Sequence, residues 1–81
     1  MEFPQFRKLS NGKSYYKITG PTDFIELQNI GSKWLSYQYH VTQFPDLLRL
    51  QAMIDAAAPF EIIDAQAFID IQKQTEIANV N

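Results

Sequence analysis

Residues 24–46, FIELQNIGSKWLSYQYHVTQFPD, decide the fold of this 81-residue chain. A glycine at the first central position of a two-residue loop suits a type II′ turn between antiparallel strands. Gly31-Ser32 therefore predicts a hairpin between strands over 24–29 and 33–41. The predicted register pairs Ile30 with Lys33, Asn29 with Trp34, Gln28 with Leu35, Leu27 with Ser36 and Glu26 with Tyr37.

The strand over 33–41 alternates in a way that assigns its two sides. Four apolar or aromatic residues lie on one side, and this side is the predicted core face. They are Leu35, Tyr37, Tyr39 and Val41. The other side is more polar and carries Trp34, Ser36, Gln38 and His40. The second side is therefore predicted to face solvent or a partner.

A second turn signal lies upstream, at Asn11-Gly12. This dipeptide is typical of a type I′ turn, which needs positive φ at both central residues. Residues 5–18 are therefore predicted to form a hairpin. Its register pairs Ser10 with Lys13, Leu9 with Ser14, Lys8 with Tyr15, Arg7 with Tyr16 and Phe6 with Lys17. Gly20-Pro21 separates this hairpin from the next strand, because proline has no N–H for a ladder.

Phe44-Pro45-Asp46 marks the change from strand to helix. Proline is tolerated at the first helical position, and an acidic residue in the first turn complements the helix dipole. Apolar residues at helical spacing follow, and the alanines at 56–58 extend the predicted helix to Pro59. This stripe consists of Leu47, Leu50, Ile54 and Ala57, with Met53 beside it.

The remaining residues predict one strand and one helix. The mostly apolar stretch 60–63 allows a short fifth strand at the sheet edge. Asp64 is a good N-cap for a second helix. A weaker stripe follows it and consists of Phe68, Ile71, Thr75 and Ala78. The predicted fold is therefore α+β: a four-stranded antiparallel β-meander, with this optional edge strand, packed against two short C-terminal helices.

Composition sets the class of protein. The length suits one domain over 1–81, with 1–4 and 79–81 expected to fray. The chain has no cysteine, which excludes disulfides, thiolate nucleophiles and zinc knuckles and favours a reducing cytoplasm. No basic and apolar leader and no apolar run long enough to span a membrane are visible. We expect a soluble, cytoplasmic protein that does not contact membranes.

The charge pattern gives little support to an anionic partner. The net charge is −2, so no global field attracts nucleic acid. Residues 1–40 carry five Lys or Arg against three Asp or Glu, whereas residues 41–81 carry two against six. The β half is thus mildly basic and the helical half acidic, which ordinary surface solvation explains better than electrostatic steering does.

No residue pattern predicts catalysis or a cofactor. His40 is the only histidine, and Ser36 on the same strand is about 13 Å from it at strand rise. The residues after Asp64 lack the oxygen ligands of a calcium loop. The three glycines are far apart, so no phosphate-binding loop exists. We therefore predict a non-enzyme with no cofactor and no metal site. An enzyme whose site is shared between subunits is the least favoured alternative.

Aromatic and basic residues on the meander carry the functional hypotheses. Tyr, Trp and Arg are enriched in protein interfaces, so we predict a protein-interaction or self-association module that uses the sheet face or an edge. A homodimer is one form of this hypothesis. The candidate interaction surface is Arg7, Tyr16, Lys33, Trp34, Gln38 and His40. Trp34 is expected either to cap the core's edge or to anchor a partner.

Single-stranded nucleic-acid binding is the alternative hypothesis. Aromatic side chains with cations can stack unpaired bases, and the meander carries both kinds of residue. Tyr and Trp are also favoured strand residues, and about half of these aromatics are needed for the core. Nucleic acid is therefore the second choice of partner.

Overall fold

The computed structural model describes residues 2–77 of the chain. Its elements, in chain order, are β1 (Gln5–Leu9), β2 (Ser14–Ile18), β3 (Asp23–Ile30), β4 (Lys33–His40), α1 (Asp46–Ile54), β5 (Phe60–Ile62), α2 (Ala65–Gln72) and β6 (Thr75–Ile77). The strands form one sheet in the order β5-β1-β2-β3-β4-β6. The predicted α+β fold, with its antiparallel meander, fifth edge strand and two helices, is confirmed. Neither helix within residues 2–77 has the length and apolar character needed to cross a bilayer.

The β3–β4 register is confirmed in full, whereas the first hairpin lacks the predicted Leu9–Ser14 and Ser10–Lys13 pairs and has another turn type. All five predicted β3–β4 pairs occur, and Gly31 has φ +64°. In the first hairpin the Lys8–Tyr15, Arg7–Tyr16 and Phe6–Lys17 pairs occur as predicted. Only Gly12 has positive φ there, so the turn is not type I′. The amide of Gly12 instead donates to the carbonyl of Leu9 at 2.8 Å, which closes a wider loop.

The two helices pack on opposite faces of the sheet. Leu50 and Met53 of α1 are buried in a cluster with Tyr16 and Phe24, and we call this side the α1 face. On the other side, the α2 face, the ring of Phe68 lies 5.6 Å from that of Phe6. Because each strand alternates, Arg7 lies on the α1 face and its neighbour Phe6 on the α2 face.

The prediction of a single core face on β4 is therefore wrong in part. On the predicted core side Val41 is buried, but Tyr39 is 38% exposed. On the side predicted to be wet, Leu27 of β3 is completely buried and pairs with Ser36. A helix covers each face of the sheet, so both faces carry buried apolar residues. Alternation along one strand therefore could not identify one face as buried and the other as exposed.

Helix α1 begins one residue later and ends earlier than its sequence predicts. Pro45 is its N-cap rather than its first helical residue, and the helix ends at Ile54 instead of continuing to Pro59. The end is a Schellman motif: the amide of Ala57 donates to the carbonyl of Ala52, and that of Ala56 to the carbonyl of Met53. Ala56 has φ +54°, a position that usually takes glycine.

The C-terminal part contains a strand that the sequence did not predict. Asp64 caps α2 as expected, accepting from the amide of Ala67 at 2.9 Å. The helix ends at Gln72, and Thr75 pairs with Trp34 in the parallel strand β6. The predicted helical stripe is therefore wrong at Thr75, and its last member, Ala78, lies outside the described residues. So do residues 79–81, which were expected to fray.

Candidate interaction surface

Two of the six predicted surface residues belong to the protein interior. Arg7 is 7% exposed and Tyr16 is fully buried. They pair across β1 and β2 on the α1 face, whereas Trp34, Gln38 and His40 lie on the α2 face of β4. The predicted set therefore combines residues from both faces, because the sequence did not show which face of β2 continues into which face of β4.

Arg7 holds the end of α1 against β1. Its Nε donates to the carbonyl of Met53 at 2.8 Å, and its Nη2 to the carbonyl of Ile54 at 2.9 Å. Its Nη1 donates to the carbonyl of Phe6 at 2.7 Å. A cation at a helix C-terminus interacts favourably with the helix dipole. Burial lowers the pKa of Arg7, and its role is structural.

Tyr16 belongs to a buried polar cluster around Glu26. The phenol of Tyr16 donates to Oε2 of Glu26 at 3.3 Å and accepts from Nη2 of Arg49 at 3.3 Å. The side-chain amide of Gln28 donates to the same carboxylate oxygen at 3.3 Å. Burial, and then the charge of Glu26, raise the pKa of Tyr16. Glu26 is buried, and its carboxylate is thus satisfied by hydrogen bonds inside the fold.

A cleft of about 130 Å³ lies between α1 and the end of β4. Its lining includes Asp46, Arg49 and the buried Leu50 of α1, and Phe24, Tyr39, His40 and Val41 of the sheet. The ring of Tyr39 stacks on Phe24 at 4.8 Å, and burial followed by the charge of Glu26 raises the pKa of Tyr39. The cleft is thus bordered by an acid, an arginine, a histidine and two aromatic residues, a composition suited to contact and binding.

His40 is held by an acid, but this pair does not complete a catalytic triad. Its Nδ1 lies 2.7 Å from Oδ1 of Asp23, and the hydroxyl of Thr22 donates to Oδ2 of Asp23 at 2.9 Å. The hydrogen bonds from His40 and then Thr22 lower the pKa of Asp23. The only hydroxyl in this set donates to the acid, so the histidine does not activate it. The sequence analysis missed Asp23, although extending the Gly31-Ser32 register pairs it with His40.

The outer edge of β4 is only half covered by the described chain. Strand β6 pairs with Trp34, Leu35 and Ser36, and no strand within residues 2–77 pairs with the outer side of residues 37–40, which we call the open edge. The amide of Val41 donates inward to the carbonyl of Thr22. Because backbone groups alternate along an antiparallel strand, Gln38 and His40 direct their N–H and C=O groups outward at this edge.

The opposite sheet edge, formed by β5, is a weaker candidate for binding a partner. Strand β5 has three residues. The amide of its first residue, Phe60, donates to the carbonyl of Ala57, and the amide of Ile63, just after the strand, donates to the carbonyl of Phe6. Pro59 precedes the strand. Such a short, interrupted edge is a poor template for another strand, so the open edge of β4 is the stronger candidate.

Trp34 lies on the α2 face of β4, next to Tyr15. It is half-buried, and its ring lies 5.7 Å from that of Tyr15 in an edge-on contact. It also pairs with Thr75 of β6. Lys33 is exposed beside the turn that precedes it. Of the six predicted residues, only Gln38 and His40 are brought together on the open edge.

The aromatic and basic residues of the meander do not share one surface. Tyr16, Tyr37 and Tyr39 lie on the α1 face, whereas Tyr15 and Trp34 lie on the α2 face. On the α2 face Lys8 contacts Glu61, with 3.8 Å between Nζ and Oε1. The structure therefore gives nucleic-acid binding no single stacking platform.

Metal-binding geometry and similarity to known proteins give no information about this surface. Among residues 2–77, no group of three His, Asp or Glu side chains converges to hold a metal. No protein-family model matches the chain, and comparison with curated proteins and with solved structures finds no match. The function proposed below therefore depends on the geometry of the chain alone.

Proposed function

We propose that this protein is a non-catalytic protein-interaction module that binds a partner by adding a strand to the open edge of β4. The observation that carries the proposal is the pair of outward-facing backbone units at Gln38 and His40, which have no strand partner among the described residues. In strand addition the main-chain hydrogen bonds supply affinity and the alternate side chains supply specificity.

The side chains around the open edge support this function. Tyr39 is 38% exposed, and Phe44, four residues beyond the strand end, is 74% exposed. Both are apolar enough to bury area against a partner, and tyrosine is enriched in protein interfaces. An edge with unpaired backbone groups is a template for pairing with another chain, so a cognate partner also protects the sheet.

Substitution of Gln38 gives a direct test. Its N–H faces outward, so Gln38→Pro removes an edge donor without breaking the β3–β4 ladder, a position where proline is tolerated. The matched control is Gln38→Ala, which keeps the N–H. The probe is a labelled peptide of residues 35–41, LSYQYHV, followed by fluorescence anisotropy. We expect binding to the natural chain and to Gln38→Ala, and at least tenfold weaker binding to Gln38→Pro.

Two outcomes would contradict the proposal. Equal binding to Gln38→Pro and Gln38→Ala would show that the edge is not the contact. Absence of peptide binding, combined with salt-sensitive binding of a single-stranded oligonucleotide, would favour the nucleic-acid alternative, because phosphate contacts weaken as salt rises. Circular dichroism of both variants checks that the sheet remains folded.

A further inference from the structure

We propose that the strand added to the open edge is β4 of a second copy of this chain, related by a two-fold axis that places Tyr39 opposite Tyr39 of the second copy. This inference rests on the proposed function and specifies its partner. A two-fold contact uses the same patch on both copies, so the patch must be complementary to itself. The backbone and the side chains of the open edge both meet this requirement.

The backbone selects one register among the two-fold possibilities. Along the open edge, Gln38 and His40 direct backbone groups outward without a strand partner among residues 2–77, and hydrogen-bonded pairs form between outward-facing residues. Pairing Gln38 of one copy with His40 of the other uses both residues of both copies. Centring on Gln38 instead would require Ser36, which β6 already covers. Centring on His40 would require Thr42, which lies beyond the strand end.

The side chains favour the same register. Tyr39 then faces its equivalent in a non-hydrogen-bonded pair, where side chains approach most closely, and aromatic cross-strand pairs stabilise such sites. Its ring is already ordered by stacking on Phe24. On the α2 face Gln38 lies opposite His40, a pair that can hydrogen-bond. The register centred on His40 would instead place two histidines opposite each other.

The contact is short, so the dimer is expected to be weak. It covers about five residues of each strand, and interfaces below about 1,200 Å² are typical of transient complexes. We therefore expect a dissociation constant on the order of 0.1 mM. A covalent trap suits such an equilibrium better than a sedimentation measurement alone.

Single-cysteine variants provide the trap, because the chain has no cysteine of its own. Tyr39→Cys is oxidised at about 0.1 mM protein and the product is separated on a non-reducing gel. We expect a disulfide dimer of Tyr39→Cys. We also expect a mixed dimer from Gln38→Cys with His40→Cys that exceeds either self-dimer at least fivefold. The mixed pair keeps the test valid if Tyr39→Cys does not fold, since both its sites are exposed.

The outcomes separate this inference from the proposed function. Peptide binding to the edge without any of these crosslinks would overturn the dimer and leave strand addition in place. Self-dimers of His40→Cys or Gln38→Cys that exceed the mixed dimer would overturn the register. A chain ending at Ile77 is measured in parallel with the full chain. Crosslinks that form only in the shortened chain would show that a second copy does not occupy the edge of the full chain.

Discussion

Replacing Arg7 should destabilise this protein more than any neighbouring surface change. Arg7→Met keeps the apolar stem but removes the hydrogen bonds to the carbonyls of Met53 and Ile54, 2.8 and 2.9 Å long. Each bond links β1 to a helix end more than forty residues away. The carbonyl of Met53 keeps the amide of Ala56 as a donor, whereas that of Ile54 loses its side-chain donor.

The expected loss is about 3 kcal/mol of unfolding free energy. A hydrogen bond from a charged donor contributes about 1.5–3 kcal/mol. We take the low end for both bonds, because the guanidinium of Arg7 is buried and its desolvation offsets part of the gain. A chain of this length has roughly 4–12 kcal/mol of stability in total. The substitution would therefore remove a quarter or more of the stability.

Urea unfolding followed by the fluorescence of Trp34, the only tryptophan, measures this loss. With a slope near 1–2 kcal/mol/M, the midpoint of Arg7→Met should fall by about 1.5–3 M. Lys8→Met is the matched control, because Lys8 is the next residue on β1 and loses only its 3.8 Å contact with Glu61. We expect less than about 0.5 kcal/mol there.

A conservative variant tests whether the planar guanidinium of Arg7, with its several N–H donors, is required. Lysine keeps the positive charge at the helix C-terminus but cannot donate to two carbonyls from one rigid group. Arg7→Lys should therefore lie between Arg7→Met and the natural chain. The reasoning is refuted if Arg7→Met and Lys8→Met lose equal stability, or if Arg7→Lys is as stable as the natural chain.

Three further predictions follow from single residues. Ala56→Gly should raise the unfolding free energy by about 0.5–1 kcal/mol in thermal melts, because φ is +54°; a lower melting temperature would contradict this. The pKa of Asp23 is lowered in the folded state, so its stabilising contribution is present above about pH 4 and is lost as the pH falls through the folded pKa. Urea midpoints of Asp23→Asn and the natural chain should thus differ at pH 6 and converge in acid, and a gap independent of pH would argue against it. The pKa of Tyr16 is raised, so the natural chain should lose stability above about pH 10; Tyr16→Phe should lose less stability over this pH range, and its absorbance titration at 295 nm should lack one phenol that ionises late. A titration identical to that of the natural chain would contradict the prediction.

The sequence predicted the meander well because its information is local. Gly31-Ser32 fixes the β3–β4 register through two residues, and every predicted pair of that hairpin occurs. Even Asn11-Gly12, with the wrong turn type, gave the correct pairing of Arg7 with Tyr16. Alternation within a strand then carries the register along the hairpin. Such features depend on near neighbours, so a sequence pattern can report them.

The features that were missed depend on contacts between distant residues. Arg7 looks like a surface residue until α1 places two carbonyls beside it. Ala56 is a good helix former, and nothing in its sequence neighbourhood indicates a left-handed conformation. Thr75 fits a helical stripe, yet it pairs with Trp34 on β4. The same limit applies to the candidate surface, whose residues could be assigned to faces only after β2 and β3 were paired.

The placement of β5 and β6 has a consequence for synthesis of the chain. These two strands come from residues 60–77 and cover opposite edges of the meander, beside β1 and beside β4. A chain emerging from the ribosome presents strands β1–β4 with both edges bare until its last quarter follows. The C-terminal quarter thus supplies a covering strand to each of the two edges of the meander. A chain that stops before Phe60 is expected to aggregate during expression, and the same C-terminal residues supplied as a separate peptide should reduce that aggregation.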